Sequence, residues 1–211
     1  MKIKSFFKKR KQNKKNGGKG QSLVELTLSL PLLLMLLSGM VEFGFMLNYK
    51  LSLIDATREV ARLFSNFDPI DDPDTAVNEV EVFYPSAVDQ VLVVLEPQDI
   101  NDTSRKIDIR NDAEHPDDIV ISVYSVNDGV ATLVNDYHWS NNQPSRFDVV
   151  KIEDRLIASA PATGVLVVEV FYNYDQVLGL PWLRFLPDPI LLYAHTVMPN
   201  SAAEPTPTPG S

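Results

Sequence analysis

KGQSLVELTLSLPLLLMLLSGMVEFGFMLNYKLSLIDATREVARLFSNF, residues 19–67, decides how the rest of the chain is read. Between Glu25 and Glu42 the run LTLSLPLLLMLLSGMV carries no charge. With its apolar flanks at 23–24 and 43–47 it reaches 25 residues holding two ionisable groups. A bilayer core roughly 30 Å thick needs about 20 helical residues at 1.5 Å each, so this stretch is long enough to span. Apolar residues surround it on every side, unlike the one-sided stripe of a soluble surface helix. The expected fold class is therefore α+β: a long N-terminal membrane-spanning helix, then a small extracytoplasmic domain with a mostly antiparallel sheet.

Charge is divided sharply along the chain. Residues 1–20 hold nine of the nineteen Lys and Arg and no Asp or Glu, which leaves ten basic and twenty-eight acidic residues, a formal −18, for the remainder. An acidic body argues against nucleic acid as a partner, because phosphate binding needs a positive field. The basic leader, directly before an apolar span, fits the rule that holds Lys and Arg in the cytoplasm. With no cysteine, disulfides, thiolate metal sites and Cys nucleophiles are excluded. The expected organisation is a basic cytoplasmic leader over 1–20 and a long hydrophobic helix with an extracytoplasmic extension over 21–67. A soluble α+β domain follows over 68–198, with a disordered Pro-rich tail over 199–211.

The leader does not end like a secretory signal, whose apolar region is usually shorter and closes on a small-residue site. Instead Gly20-Gln21-Ser22-Leu23-Val24-Glu25 opens the helix. This order is similar to the processing site of type IV pilin-like proteins, in which a prepilin peptidase cuts after the Gly. A glycine gives close access to the scissile bond. The new amine on Gln21 would stand one helical turn from Glu25, and a carboxylate near a helix N-terminus is favoured by the dipole.

The longer run resembles the TadE-like family of tight-adherence (Flp) pilus proteins. Its typical marks appear as Gly20 to Glu25, Pro31, Val41-Glu42-Phe43-Gly44 and Thr57-Arg58-Glu59-Val60-Ala61-Arg62. Leu26 stands where an aromatic is common, and Val60 where Gly is usual. The resemblance implies processing between Gly20 and Gln21, and pairing of Glu25 with a neighbouring subunit's N-terminus. It also implies as partners the prepilin peptidase, other pilin or pseudopilin subunits, pilus assembly proteins and the lipid bilayer.

Pro31 cannot donate to the Thr27 carbonyl and should kink the span. Glu42 has two readings. An intramembrane carboxylate is a functional hypothesis by default, yet at the outer interface it can simply reach water. The helix should continue outward with Leu47, Leu51, Ile54, Ala61 and Phe64 along one face. Asp55–Arg58 and Glu59–Arg62 are spaced to pair at i,i+3, and Arg58, Glu59 and Arg62 are also candidates for subunit contacts.

Beyond the helix, NFDPIDDPDT over 66–75 reads as a solvated acidic loop, lacking the glycine and closing Glu of an EF-hand. Residues 77–95 fit a helix or a strand. Strands are expected over 105–110, 119–126, 129–134, 164–174 and 189–198, with a hairpin turn at Asn127-Asp128-Gly129. A helical period covers 147–157.

Catalytic patterns are missing. His115, His138 and His195 have no metal-ligand spacing, and there is no nucleophile elbow or phosphate-binding glycine loop. Tyr172, Tyr174, Trp182 and Phe185 suit a core or interface, and Asp71, Asp72 and Asp74 are too crowded for acid–base roles. The reading is a structural protein, not an enzyme, with no metal and no cofactor: a pseudopilin or minor pilin on a bacterial cytoplasmic membrane. The alternatives are an uncleaved membrane-anchored scaffold or adhesin, and a membrane-tethered enzyme.

Overall fold

The computed structural model describes residues 18–70, 79–96, 107–156 and 162–203. The chain divides into two compact units, Met1–Val41 and Glu42–Ser211. One helix, α1 (Gly18–Phe64), contributes to both.

In the first unit α1 is fully helical from Gly18 and runs uninterrupted through Pro31. Leu28, Leu36 and Met40 are about 70 % exposed (73, 69 and 74 %). Its hydroxyls turn inward on the helix itself: Thr27 Oγ1 donates to the Leu23 carbonyl at 2.7 Å and Ser38 Oγ to that of Met35 at 2.9 Å. This back-bonding satisfies polar atoms that a hydrocarbon environment could not. The helix is long and apolar enough to cross a membrane. The leader over 1–17 lies outside the described residues.

The second unit is a small α+β domain built on a four-stranded antiparallel sheet of order β2-β1-β3-β4. Its strands are β1 (Asp118–Asn127), β2 (Val130–His138), β3 (Thr163–Tyr174) and β4 (Ile190–Asn200). The β1–β2 turn is the expected one: Asp128 and Gly129 take positive φ of 50° and 78°, as a type I′ hairpin requires. β3 is buried along nearly its whole length because both faces of the sheet are covered, so it reads as an unbroken apolar run rather than an alternation.

One sheet face, carrying Ile119, Ile121, Leu166, Val168 and Val170, packs against α1 and α2 (Glu79–Leu95). From α1 the buried apolar residues are Leu53, Ala56, Val60, Ala61 and Phe64, with Ile54 packed against the same core, whereas Leu47 and Leu51 are half-exposed. Ile54, Ala61 and Phe64 of the expected face thus reach the core, and Leu47 and Leu51 do not. The small side chains of Ala56, Thr57 and Ala61 admit the helix close to the sheet, and Thr57 Oγ1 meets Thr196 Oγ1 of β4 at 2.9 Å. Residues 79–95 form a helix despite their β-branched content, burying Phe83, Tyr84, Ala87, Val88 and Val91 at helical spacing. The opposite face is covered by Phe147 and by Ile152 of the short helix α3 (Val149–Glu153).

Other expectations are revised. Residues 107–110 form no strand; Ile107 and Ile109 are buried and Asp108 is exposed, but Ile107 N donates to the Leu95 carbonyl and Arg110 N to Asp117 Oδ2. The alternation there reflects two anchored side chains, not a ladder. The helical period over 147–157 shortens to one turn capped by Asp148, whose Oδ1 accepts from Lys151 N at 2.8 Å. β4 runs through Pro199 and Asn200 and leads into a 3₁₀ turn, Ser201–Ala203. Buried Asn200 donates to the carbonyls of Phe64 and Phe67 at the end of α1 and accepts from Ala202 N and Ala203 N. The ordered domain thus passes the expected boundary at 198, because a polar knot ties β4 to the helix terminus. Gly164 fits under that turn; a Cβ there would stand 2.3 Å from the Asn200 carbonyl oxygen.

Candidate functional site

Gly20, Gln21 and Glu25 lie in the first unit, within the opening turns of α1. The first turn of a helix lacks internal acceptors for its N–H groups and frays readily, so the Gly20–Gln21 bond lies in the part of the helix that opens at least cost. Nothing stands within 4 Å of where a Cβ on Gly20 would be. Gln21 and Glu25 are exposed, and Gln21 Nε2 donates to Glu25 Oε1 at 3.2 Å, four residues on. The carboxylate therefore already faces the residue whose backbone nitrogen cleavage would release as an amine.

Glu42 lies in the second unit, and its position is the opposite. It is 5 % exposed, and its carboxylate accepts three hydrogen bonds from one region of the domain. Tyr174 Oη donates at 2.6 Å and Val177 N at 2.8 Å, both to Oε1; Leu178 N donates to Oε2 at 2.8 Å. The loop after β3 is thereby clamped to α1. Burial, and then the Glu42 acceptor, push the Tyr174 phenol well above its ordinary value. Tyr49, about two helical turns further, packs edge-on to Tyr174 and stacks near Tyr172, with centroids at 5.2 and 5.9 Å. Of the two sequence readings of Glu42, simple access to water does not describe this geometry.

Arg58, Glu59 and Arg62 are exposed on α1. Glu59 and Arg62 form a two-pronged pair at 2.7 and 3.2 Å, while Asp55 and Arg58 do not close on each other. Within the second unit these residues form no contact with Glu42.

Three further carboxylates had no signal in the sequence beyond their residue type. Asp117 accepts from Arg110 N, Asn173 N and Asn173 Nδ2; Asp118 from Ile119, Ser140, Asn142 and Gln143 backbone N–H groups. Glu169, fully buried in β3, accepts from Ser145 Oγ, Arg146 N and Tyr193 Oη. Burial raises Asp117 above the usual carboxylate range although these bonds oppose it. Each acid fastens a loop to the sheet. A charged cluster closes the same end of the domain: Asp175 takes Arg110 Nη2 at 2.9 Å and His115 Nε2 at 3.0 Å, and His115 Nδ1 meets Asp112 at 3.0 Å. His138 lies by Asp136 and Gln143, and His195 stacks on Tyr193. Among the described residues no group of three or more His, Cys, Asp or Glu is arranged to hold a metal. Asp71, Asp72 and Asp74 lie outside the described residues.

Residues 20–62 match the family model described as TadE-like protein. The matched stretch begins at Gly20 and closes at Arg62, so it holds the candidate processing site, the apolar run, Glu42 and the Glu59–Arg62 pair. No curated protein and no solved structure matches the chain.

Proposed function

We propose that this chain is a structural component of tight-adherence pilus biogenesis, a pseudopilin or minor pilin assembled through its N-terminal helix. The observation that carries the reading is the TadE-like match over residues 20–62, which falls on an exposed apolar helix opening with Gly20, Gln21 and Glu25. The nine basic residues before the span favour a cytoplasmic N-terminus and an extracytoplasmic domain on a bacterial membrane. A prepilin peptidase hydrolyses the bond between Gly20 and Gln21. The released α-amino group of Gln21 is largely cationic near neutral pH.

Glu25 then has two possible uses. It can remain on its own helix, as in the Gln21 contact, or neutralise the Gln21 amine of a neighbouring subunit while the apolar helices pack side by side. Small residues such as Ser29, Ser38 and Gly39 permit close approach in lipid. The role is architectural, and the partners are the peptidase, other pilin-like subunits, pilus assembly proteins and the bilayer.

Intact mass of the protein recovered from cells tests the reading. A mature chain starting at Gln21 is expected, with Gly20→Trp accumulating as precursor. A wild-type chain retaining residues 1–20 would favour the uncleaved, membrane-anchored scaffold instead.

A further inference from the structure

Lys50 on α1 and Arg146, in the segment before α3, converge on one aromatic ring. The Lys50 ammonium lies 5.9 Å and the Arg146 guanidinium 4.2 Å from the Tyr193 centroid. Neither forms an ion pair with a carboxylate among the described residues. The buried acid that bonds Tyr193, Glu169, is occupied by Ser145 Oγ, the Arg146 backbone N–H and Tyr193 Oη. Residues 21–211 carry a formal −18, with ten cations against twenty-eight acids, so two like charges brought onto one ring are the local exception. They share a groove of about 390 Å³ whose remaining wall is apolar: Met46, Leu47, Leu191 and Leu192. Leu47 and Leu191 are half-exposed there, at 45 % and 39 %.

The sequence places this groove near a membrane. The 25-residue run 23–47 has a helical length of about 37 Å against a hydrocarbon core of roughly 30 Å, so the outer boundary falls between Glu42 and Leu47. Lys50 is the first basic residue after it, about 5–12 Å of helix beyond. The headgroup layer of one leaflet is about 5–8 Å deep, since the whole bilayer grows from about 30 to 40–45 Å, so Lys50 lies within that layer or just above it. A cation pair above an apolar wall at that depth complements one kind of molecule, a phosphate joined to acyl chains. Cations near an anionic surface each contribute about a factor of five in binding.

The geometry points to a binding site for an anionic phospholipid of the outer leaflet, its phosphate held by Lys50 and Arg146 beside Tyr193 and its acyl chain along Met46, Leu47 and Leu191. The inference rests on the reading that α1 spans the membrane. It goes beyond the pilus role, since it gives the domain a fixed stance on the bilayer that the helix alone would not impose.

The test uses the full chain in nanodiscs of equal parts phosphatidylglycerol and phosphatidylcholine, re-extracted into detergent and weighed by native mass spectrometry. Phosphatidylglycerol is expected to be retained over phosphatidylcholine by about twenty-five-fold, a factor of five for each cation. Lys50→Gln with Arg146→Gln should bring the ratio close to one, whereas Arg58→Gln with Arg62→Gln, the same loss of charge elsewhere on the domain, should leave it. The swap Lys50→Arg with Arg146→Lys keeps both charges and should keep the preference, which separates lost binding from lost folding. Equal retention of the two lipids by the wild type, or an unchanged ratio in the Gln pair, overturns the site. Alkaline carbonate extraction of the same membranes keeps the outcomes apart. Release of the chain would reject the membrane-span reading, and firm retention without lipid preference would reject the lipid site alone.

Discussion

Glu25 and Glu42 bracket the same uncharged run of sixteen residues, yet they live in different physical settings. Glu25 is exposed, one turn from the start of the family match, and touches a single amide of its own helix. Glu42 is buried, with a phenol and two backbone N–H groups closing on its oxygens. A carboxylate that already holds three donors inside one domain and is 5 % exposed offers little to a neighbour; an exposed one keeps its acceptor sites open. The contrast separates a residue that builds the subunit from one available to join subunits, although a sequence shows only two acids at the ends of a hydrophobic stretch.

The comparison breaks first at Glu42. Glu42→Ala leaves three donors without their acceptor, and each buried unsatisfied group costs about 1–3 kcal/mol. A loss of about 3 kcal/mol is expected in chemical unfolding of the full chain in detergent, followed by tryptophan fluorescence. Glu25→Ala should change the same transition by less than about 0.5 kcal/mol, as exposed positions do. Equal effects at the two sites would erase the distinction.

A second substitution probes the domain that holds Glu42 and leaves the first unit alone. Gly164→Ala places a Cβ 2.3 Å from the Asn200 carbonyl oxygen and 2.4 Å from Ala203 Cβ. Forcing that turn away should cost about 1–3 kcal/mol, read from the same transition, with membrane insertion unaltered. An unchanged transition would mean that the turn after β4 does not seal the domain.

The smallest effect is a pH dependence at the end of the domain where Glu42 clamps the loop. Burial would lower His115, but its hydrogen bonds to Asp175 and Asp112 outweigh that and raise it above 6.5. A raised histidine stabilises the fold fully below its unfolded pKa, near 6.5, and the contribution fades as pH rises through the higher folded value. Stability should therefore fall slightly between about pH 6 and 8. His115→Gln should flatten that slope, and a slope that persists in the variant would assign it elsewhere.

Much of this was legible in the sequence where one interaction dominates. The apolar run, the Asp128-Gly129 hairpin and the β3 core strand each follow from local composition, and all three appear in the structure. Residues 79–95 were ambiguous because β-branched residues at 80, 82, 88, 91, 93 and 94 suit a strand locally. Burial of Phe83, Tyr84 and Val91 on one helical side decided the matter through tertiary contacts. The share of Ala56 in the inner face of α1 was hidden for a similar reason: Leu47 and Leu51 are larger and more apolar than Ala56, but a small residue lets the helix approach the sheet. The end of β4 was obscured by its Pro-rich sequel, since nothing local reveals that Asn200 caps a helix 136 positions away. The Glu42 clamp had a partial signal, a carboxylate where few are tolerated. Two of its three donors, on Val177 and Leu178, are backbone groups that any residue but proline could have supplied.

The central claim is that Glu25 serves association and Glu42 serves the fold, and crosslinking in native membranes tests it most directly. Wild-type and Glu25→Gln chains are expressed at matched levels, and the yield of crosslinked oligomers is compared after confirming equal membrane content and an unchanged unfolding transition. The amide keeps the size of the side chain but cannot neutralise an amine, and removing one partner of a desolvated charge pair costs several kcal/mol. Oligomers should fall at least tenfold while the Glu25→Gln monomer remains inserted and folded. Oligomers at the wild-type level in Glu25→Gln would contradict the account.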